Sequence, residues 1–129
     1  MTTLRSLAVA TVLAALLGAC ATTDTFSYLQ GQRWRKAELN TFDVTIIRVD
    51  DRDYIQRGDT PIRIDPGLRR IVVQGPPTAG FLFGEQRTLT LDVKPCTRYW
   101  LEAKKHNSLS QDFEPRVNYE EPIAGCGVA

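Results

Sequence analysis

The sequence predicts an all-β fold, a small antiparallel β-sandwich preceded by an N-terminal signal helix, and three observations carry that expectation. Beyond residue 40 the chain falls into short runs of β-branched or alternating apolar residues at spacings of about ten residues. Between the runs stands turn chemistry: Gly58 with Asp59, Pro66 with Gly67, and GPPTAG over 75–80. No apolar period of 3.6 residues runs through any stretch after the N-terminal segment.

The first element differs in composition from all that follows. Arg5 is the only charge before Asp24, and residues 7–18 read LAVATVLAALLG, an uncharged apolar run of twelve. As helix this run is about 18 Å long against a bilayer core of about 30 Å, too short to span. One positive charge, a short apolar segment and then small residues is the layout of a secretory signal peptide over residues 1–19.

That segment ends Leu17, Gly18, Ala19, Cys20. These four residues resemble the lipobox of bacterial lipoproteins. The resemblance implies that Cys20 is acylated, that cleavage makes it the first mature residue, and that the protein engages the membrane through acyl chains on Cys20. In the enterobacterial sorting rule an Asp after the cysteine retains the protein at the inner membrane. Ala21 therefore implies an outer-membrane anchor, with the domain facing the periplasm. Each buried methylene contributes about 0.8 kcal/mol, and more than one chain gives stable anchoring.

Residues 20–40 read as lipid anchor and tether. Residues 21–25 are small or polar, which suits a flexible leash. Trp34 sits in a basic cluster with Arg33, Arg35 and Lys36. It has two readings: contact with anionic lipid or glycan, or packing over a sheet edge with solvated charges beside it.

The expected β-sandwich domain spans 41–129. Residues 41–50, TFDVTIIRVD, read as a central strand whose adjacent Ile46 and Ile47 require burial on both faces or a bulge. Ile62 and Ile64 alternate with Arg63 and Asp65 in a short strand, and LRRIVVQ over 68–74 follows the Pro66-Gly67 turn. In RTLTLDV, residues 87–93, Leu89, Leu91 and Val93 share one face. In TRYWLEAK, residues 97–104, Tyr99, Leu101 and Ala103 point inward, leaving Arg98, Trp100, Glu102 and Lys104 outward. A last strand covers 112–119, where Pro115 argues for a sheet edge.

Val49-Asp50, then Gly58, Pro61 and Ile62, then Pro66-Gly67 feeding Leu68, Arg69, Arg70, Ile71, Val72 and Val73, resemble a PEGA-type module. The resemblance covers about residues 44–74. It implies a PEGA-like or transthyretin-like sandwich, and the family has no single catalytic function to transfer. Asp51 departs from the pattern, standing where such repeats commonly have Gly.

With Cys20 acylated, Cys96 and Cys126 are the remaining thiols, and in an oxidising compartment two thiols become one disulfide. It would close about 31 residues and contribute roughly 3–4 kcal/mol by the chain-entropy estimate. A redox-active pair is disfavoured because the Cys-x-x-Cys spacing is missing.

Charge and composition exclude several functions. The 129 residues carry 16 basic and 15 acidic side chains. Without Arg5 the mature chain is balanced, so no cationic field exists for nucleic acid. A single His excludes two-imidazole sites, and three Cys are too few for a four-thiolate zinc site. No metal and no cofactor are therefore expected. Asp50, Asp51 and Asp53 lack the spacing of a calcium loop, with Ile55 and Arg57 where ligands belong, and read as solvated turn carboxylates. His106, Ser108, Ser110 and Asp112 contain hydrolase residue types without a nucleophile elbow. Glu120 and Glu121 lack an apolar pocket that would tune an acid–base pair. No catalytic residue is expected, and the chain does not read as an enzyme.

The interaction surface expected instead is Trp34, Arg98 and Trp100, since Trp and Arg serve as interface anchors and Trp stacks on sugar rings. A loop or the N-terminal segment covering Trp100 is the competing expectation. The function expected is a non-catalytic binding or structural module of the envelope. The alternatives are a glycan- or peptidoglycan-binding protein using exposed Trp residues and an inhibitor of a cell-wall hydrolase. The expected partner is another envelope protein or peptidoglycan.

Overall fold

The structure, a computed structural model, describes residues 25–32, 34, 38–54 and 60–127. The expected signal helix, Cys20, the leash to residue 24, the basic residues Arg33, Arg35 and Lys36, and the expected turn at Gly58 and Asp59 lie outside the described residues.

Among the described residues there is no helix, and nine strands form two sheets: β1 (Ser27–Gln30), β2 (Thr41–Phe42), β3 (Thr45–Val49), β4 (Arg52–Asp53), β5 (Ile62–Ile64), β6 (Gly67–Gln74), β7 (Gln86–Val93), β8 (Thr97–Lys105) and β9 (Phe113–Pro122). In the first sheet β8 pairs with β9 on one edge and with β1 and then β2 on the other, and β5 follows β1. The second sheet runs β4-β3-β6-β7. One apolar cluster joins them: Leu29, Ile62, Ile64, Tyr99, Leu101 and Ala103 from the first sheet meet Ile46, Val49, Ile71, Val73 and Val93 from the second. The arrangement is β-sandwich-like, and alternation accounts for it. Leu89 and Leu91 pack against the cluster that Val93 joins, as their spacing requires.

Three features depart from the sequence reading. Residues 41–50 are not one strand. Residues 41–42 pair with β8 in the first sheet, whereas β3 belongs to the second. Val44 donates its N–H to Gly31 O at 2.8 Å as the chain crosses between layers. The adjacent isoleucines mark a bulge: Ile46 pairs with Val73 and Arg48 with Val72, leaving Ile47 as the extra residue. Second, the expectation of a wholly antiparallel sandwich is corrected by β1, which runs parallel to β8 with Tyr28, Leu29 and Gln30 opposite Arg98, Tyr99 and Trp100. The stretch read as tether therefore joins the sheet at Ser27. Third, the middle of β8 is buried on both faces, including Trp100 and Glu102, which were expected to face water, while the outward Arg98 and Lys104 are half-buried.

The expected edge position of the last strand holds. Among the described residues β9 pairs only with β8, and Pro115 lies opposite Ala103. Its register shifts between Trp100 and Leu101, which pair with Tyr119 and Val117, so Asn118 is an inserted residue.

A disulfide joins Cys96 to Cys126 with Cα atoms 5.4 Å apart, as expected. Cys96 holds the turn from β7 to β8 with a φ of 55°. Its N–H donates to Phe26 O at 3.0 Å and its carbonyl accepts from Ile123 N at 2.8 Å. The staple thus ties the C-terminal segment to the place where the chain first joins the sheet, and its loop constraint contributes roughly 3–4 kcal/mol.

Along one side the two sheets are bridged by ion pairs. Arg87 Nη2 lies 2.6 Å from Asp112 Oδ1 and also pairs with Glu85, while Lys94 Nζ lies 2.7 Å from Glu120 Oε1. At the β3–β4 turn Asp50 adopts a φ of 51°, a conformation Asp tolerates. Its Oδ1 accepts from Arg70 N at 3.0 Å and its Oδ2 from Arg69 Nη1 at 3.1 Å. Arg48 holds Asp53 at 2.7 Å. The turn aspartates Asp50 and Asp53 are thus occupied by arginines.

The Arg70 backbone N–H, with Arg69 beside it, holds the Asp50 carboxyl below the usual carboxylate range, and Arg87 does the same for Asp112. Both groups lose their proton more readily in the folded state. Their stabilisation is therefore complete above the unfolded Asp value of about 3.9. It disappears as pH falls through the folded values. Carboxyl NMR titrations should place both midpoints below those of Asp in a short peptide of this sequence, and urea midpoints should fall on going from pH 5 to pH 2. Asp50→Asn should flatten that decline, and midpoints at or above the peptide values would contradict this account.

Candidate functional site

The outer face of the first sheet carries the residues singled out above. Directly paired residues share a face, so the register stacks Arg63, Tyr28, Arg98 and Glu121 in one row, Gln30, Trp100 and Tyr119 in the next, and Glu102 with Arg116 in a third. Arg98 and Trp100 stand here, as alternation along β8 predicts.

Trp34 comes to them from the connection between β1 and β2. Its ring centroid lies 4.9 Å from that of Trp100 and 6.4 Å from that of Tyr119, with only 15° between the Trp34 and Tyr119 planes. Trp100 and Tyr119 are 5.6 Å apart. Such offset contacts are worth about 0.5–1.5 kcal/mol per pair beyond their area. The Arg98 guanidinium stands 5.8 Å from the Trp100 ring and 5.2 Å from Tyr28. Arg63 lies 4.1 Å from the Phe26 ring, which meets Tyr28 edge to face. Cations and rings thus alternate across the sheet.

The three sequence-selected residues are brought together with unequal exposure. Trp100 is 4% exposed and Trp34 46%. The N-terminal segment covers Trp100, the competing expectation stated above, and the accessible ring of the cluster is Trp34.

Asn118 makes that cover possible. A regular strand would alternate it away from Tyr119, but the bulge directs it to the outer face. Its Oδ1 accepts from Trp34 N at 3.0 Å and its Nδ2 donates to Glu102 Oε2 at 3.2 Å. Glu102, 2% exposed, also accepts from Arg116 Nε at 2.6 Å, while Arg116 Nη2 reaches Glu38 at 2.9 Å. Glu102 and Glu38 together hold the Arg116 guanidinium protonated, raising it above its ordinary value. A buried carboxylate is tolerated when its oxygens are bonded and its charge paired.

Sequence reasoning missed Tyr119, Asn118 and the Glu102–Arg116 pair. Only the pairing of Trp100 with Tyr119 would have found the first, the bulge removes Asn118 from simple alternation, and the Glu102–Arg116 pair follows from the β8–β9 register. Elsewhere, Asp112 is held by Arg87 and its N–H bonds Ser110 Oγ at 3.2 Å, so its partner is not His106. Glu120 and Glu121 are consecutive strand residues on opposite faces, with Glu120 bonded to Lys94. Among the described residues no group of three or more His, Cys, Asp or Glu side chains is placed to hold a metal ion.

Arg116→Ala removes the charge partner of a nearly dry carboxylate. Because 37% of the guanidinium side chain is exposed, the pair is partly screened, and the expected cost is about 1–2 kcal/mol. Adding Glu102→Gln should restore part of the loss, since no charge is then stranded. Equal urea midpoints for the wild type and Arg116→Ala would show that Glu102 does not depend on this pair.

Compared with protein-family models, curated proteins and solved structures, the chain finds no match.

Proposed function

We propose that this protein is a lipid-anchored module of the bacterial envelope that works by contact and not by turnover. The Leu17-Gly18-Ala19-Cys20 lipobox supports the anchor, with acyl chains on Cys20. The disulfide supports an oxidising location such as the periplasm. The Pro66-Gly67 turn leads into β6 and the Val49-Asp50 pair into a tight β3–β4 turn, which accords with a PEGA-like module.

One observation carries the contact reading. Trp34 presents a half-exposed indole, backed by Trp100 and Tyr119, with its backbone fastened to Asn118. A ring so supported loses little freedom when covered, and that favours it as an anchor. The near-parallel Trp34–Tyr119 pair also favours a second reading, stacking of an envelope sugar ring on the same indole.

Cys20→Ser should move the protein from the membrane to the soluble periplasmic fraction. Continued sedimentation after a carbonate wash would remove acylation as the anchor. Trp34→Ala should keep the disulfide and the strand circular dichroism. If the glycan reading holds, saturable retention on purified peptidoglycan should fall at least tenfold in that variant. Equal retention by Trp34→Ala and the wild type would eliminate the indole as the contact.

A further inference from the structure

The edge of a sheet offers a row of main-chain groups to a further strand, and most edges of this molecule are blunted. β2 and β4 have two residues each and β5 has three. β9 carries Pro115, which has no N–H to offer, and its inserted Asn118 breaks the regular spacing. Among the described residues β7 is the exception. Its eight residues pair one for one with β6 without a bulge, and QRTLTLDV contains no proline, glycine or lysine.

The groups that β7 offers follow from the bonds of its neighbour. Arg70 turns both its main-chain groups toward the β3–β4 turn: its carbonyl accepts from Asp50 N at 2.8 Å and its N–H donates to Asp50 Oδ1 at 3.0 Å. Main-chain direction alternates along a strand, so Arg69, Ile71 and Val73 turn theirs toward β7, where they meet Leu91, Leu89 and Arg87. The bond from Gly75 N to Glu85 O at 3.0 Å continues the same phase. Thr88, Thr90 and Asp92 therefore point their N–H and C=O groups away from β6, and among the described residues no second strand pairs with them. Their side chains are exposed on the outer face, and Leu89 and Leu91 between them are half-buried at the rim of the core.

This strand is complementary to itself. In antiparallel pairing about a two-fold axis at Thr90, Thr90 meets the partner's Thr90 and Thr88 meets the partner's Asp92, each pair exchanging two main-chain bonds. Paired residues share a face. On the outer face the Thr88 hydroxyl can donate to the partner's Asp92 carboxylate, and on the inner face Leu89 covers the partner's Leu91. A strand of unrelated sequence would satisfy the main chain alone, whereas a copy of this one also bonds Asp92 and covers both leucines. No like charges are opposed. Residues 88–91 are uncharged. Arg87, held by Glu85 and Asp112, meets the partner's Val93, and Lys94, held by Glu120, meets the partner's Gln86. Arg70, beside Thr90 on the outer face, is set back by one strand.

We infer that β7 is a self-association edge, to which a second copy of the chain adds its own β7 antiparallel, joining the two four-stranded sheets into one. The interaction needs neither the Cys20 anchor nor the Trp34 face, which lies on the other sheet. The test is sedimentation equilibrium of the purified full-length chain in detergent, up to about 100 µM. The wild type must form a reversible dimer, and Trp34→Ala must form it equally well. Thr90→Lys and Thr90→Glu each set like charges against one another at the axis, and each must weaken the dimer at least tenfold. Mixing these two variants in equal amounts must restore association, because opposite charges then meet. That rescue also separates a lost contact from a lost fold. A monomeric wild type, a variant at position 90 that associates as tightly as the wild type, a mixture no better than its parts, or loss of the dimer in Trp34→Ala would overturn the inference.

Discussion

The fold depends on a strand whose middle is buried on both faces. In β8 the inward residues Tyr99, Leu101 and Ala103 enter the core, and the outward residues Trp100 and Glu102 are buried as well. Burial on both faces is ordinary for a strand of hydrophobic residues, but here one outward residue is a carboxylate and another an indole. Their burial requires a roof with a cation at one place and a ring at another. The roof is supplied from two directions: Arg116, Asn118 and Tyr119 come from the neighbouring strand, and Trp34 and Glu38 from the connection that arches between β1 and β2. The polar groups beneath it determine which roof fits, because a cover without Arg116 and Asn118 would leave the buried Glu102 carboxylate unpaired.

Two bulges allow both sheets to meet these demands. The extra residue at Ile47 lets a strand with adjacent isoleucines keep Ile46 and Val49 in the core. The extra residue at Asn118 turns an amide onto the outer face, where it joins the Trp34 backbone to the Glu102 carboxylate. In each case one inserted residue changes what a face presents without ending the ladder. The Trp34–Trp100–Tyr119 face is therefore a consequence of strand irregularity as much as of composition.

The legible part of the molecule was the part governed by local alternation. The regular strands β6, β7 and β8 and the inward sets Leu89, Leu91 and Val93 and Tyr99, Leu101 and Ala103 follow from a period of two. The edge position of β9 follows from Pro115, and the Cys96–Cys126 bond from the count of thiols left once Cys20 is set aside. What alternation cannot carry is partnership between strands far apart in sequence. Nothing in SYLQ declares that it lies parallel to residues 98–100, and although the sequence offered Trp34 and Trp100 as one surface, with cover by the N-terminal segment as the competing expectation, nothing near either declares that the Trp34 ring itself is the cover. The split of residues 41–50 between layers was hidden for the same reason, since both halves have strand composition.

The parallel seating of β1 has a consequence for how the chain is made. Its neighbours on the two sides are β5 and β8, and the latter begins 70 residues downstream of Ser27. A growing polypeptide leaving the ribosome N-terminus first cannot complete this layer until most of its length has emerged, and loop closure over such a span is slow. The first sheet therefore closes only once β8 has emerged, and until then the Ser27–Gln30 strand lacks its parallel partner.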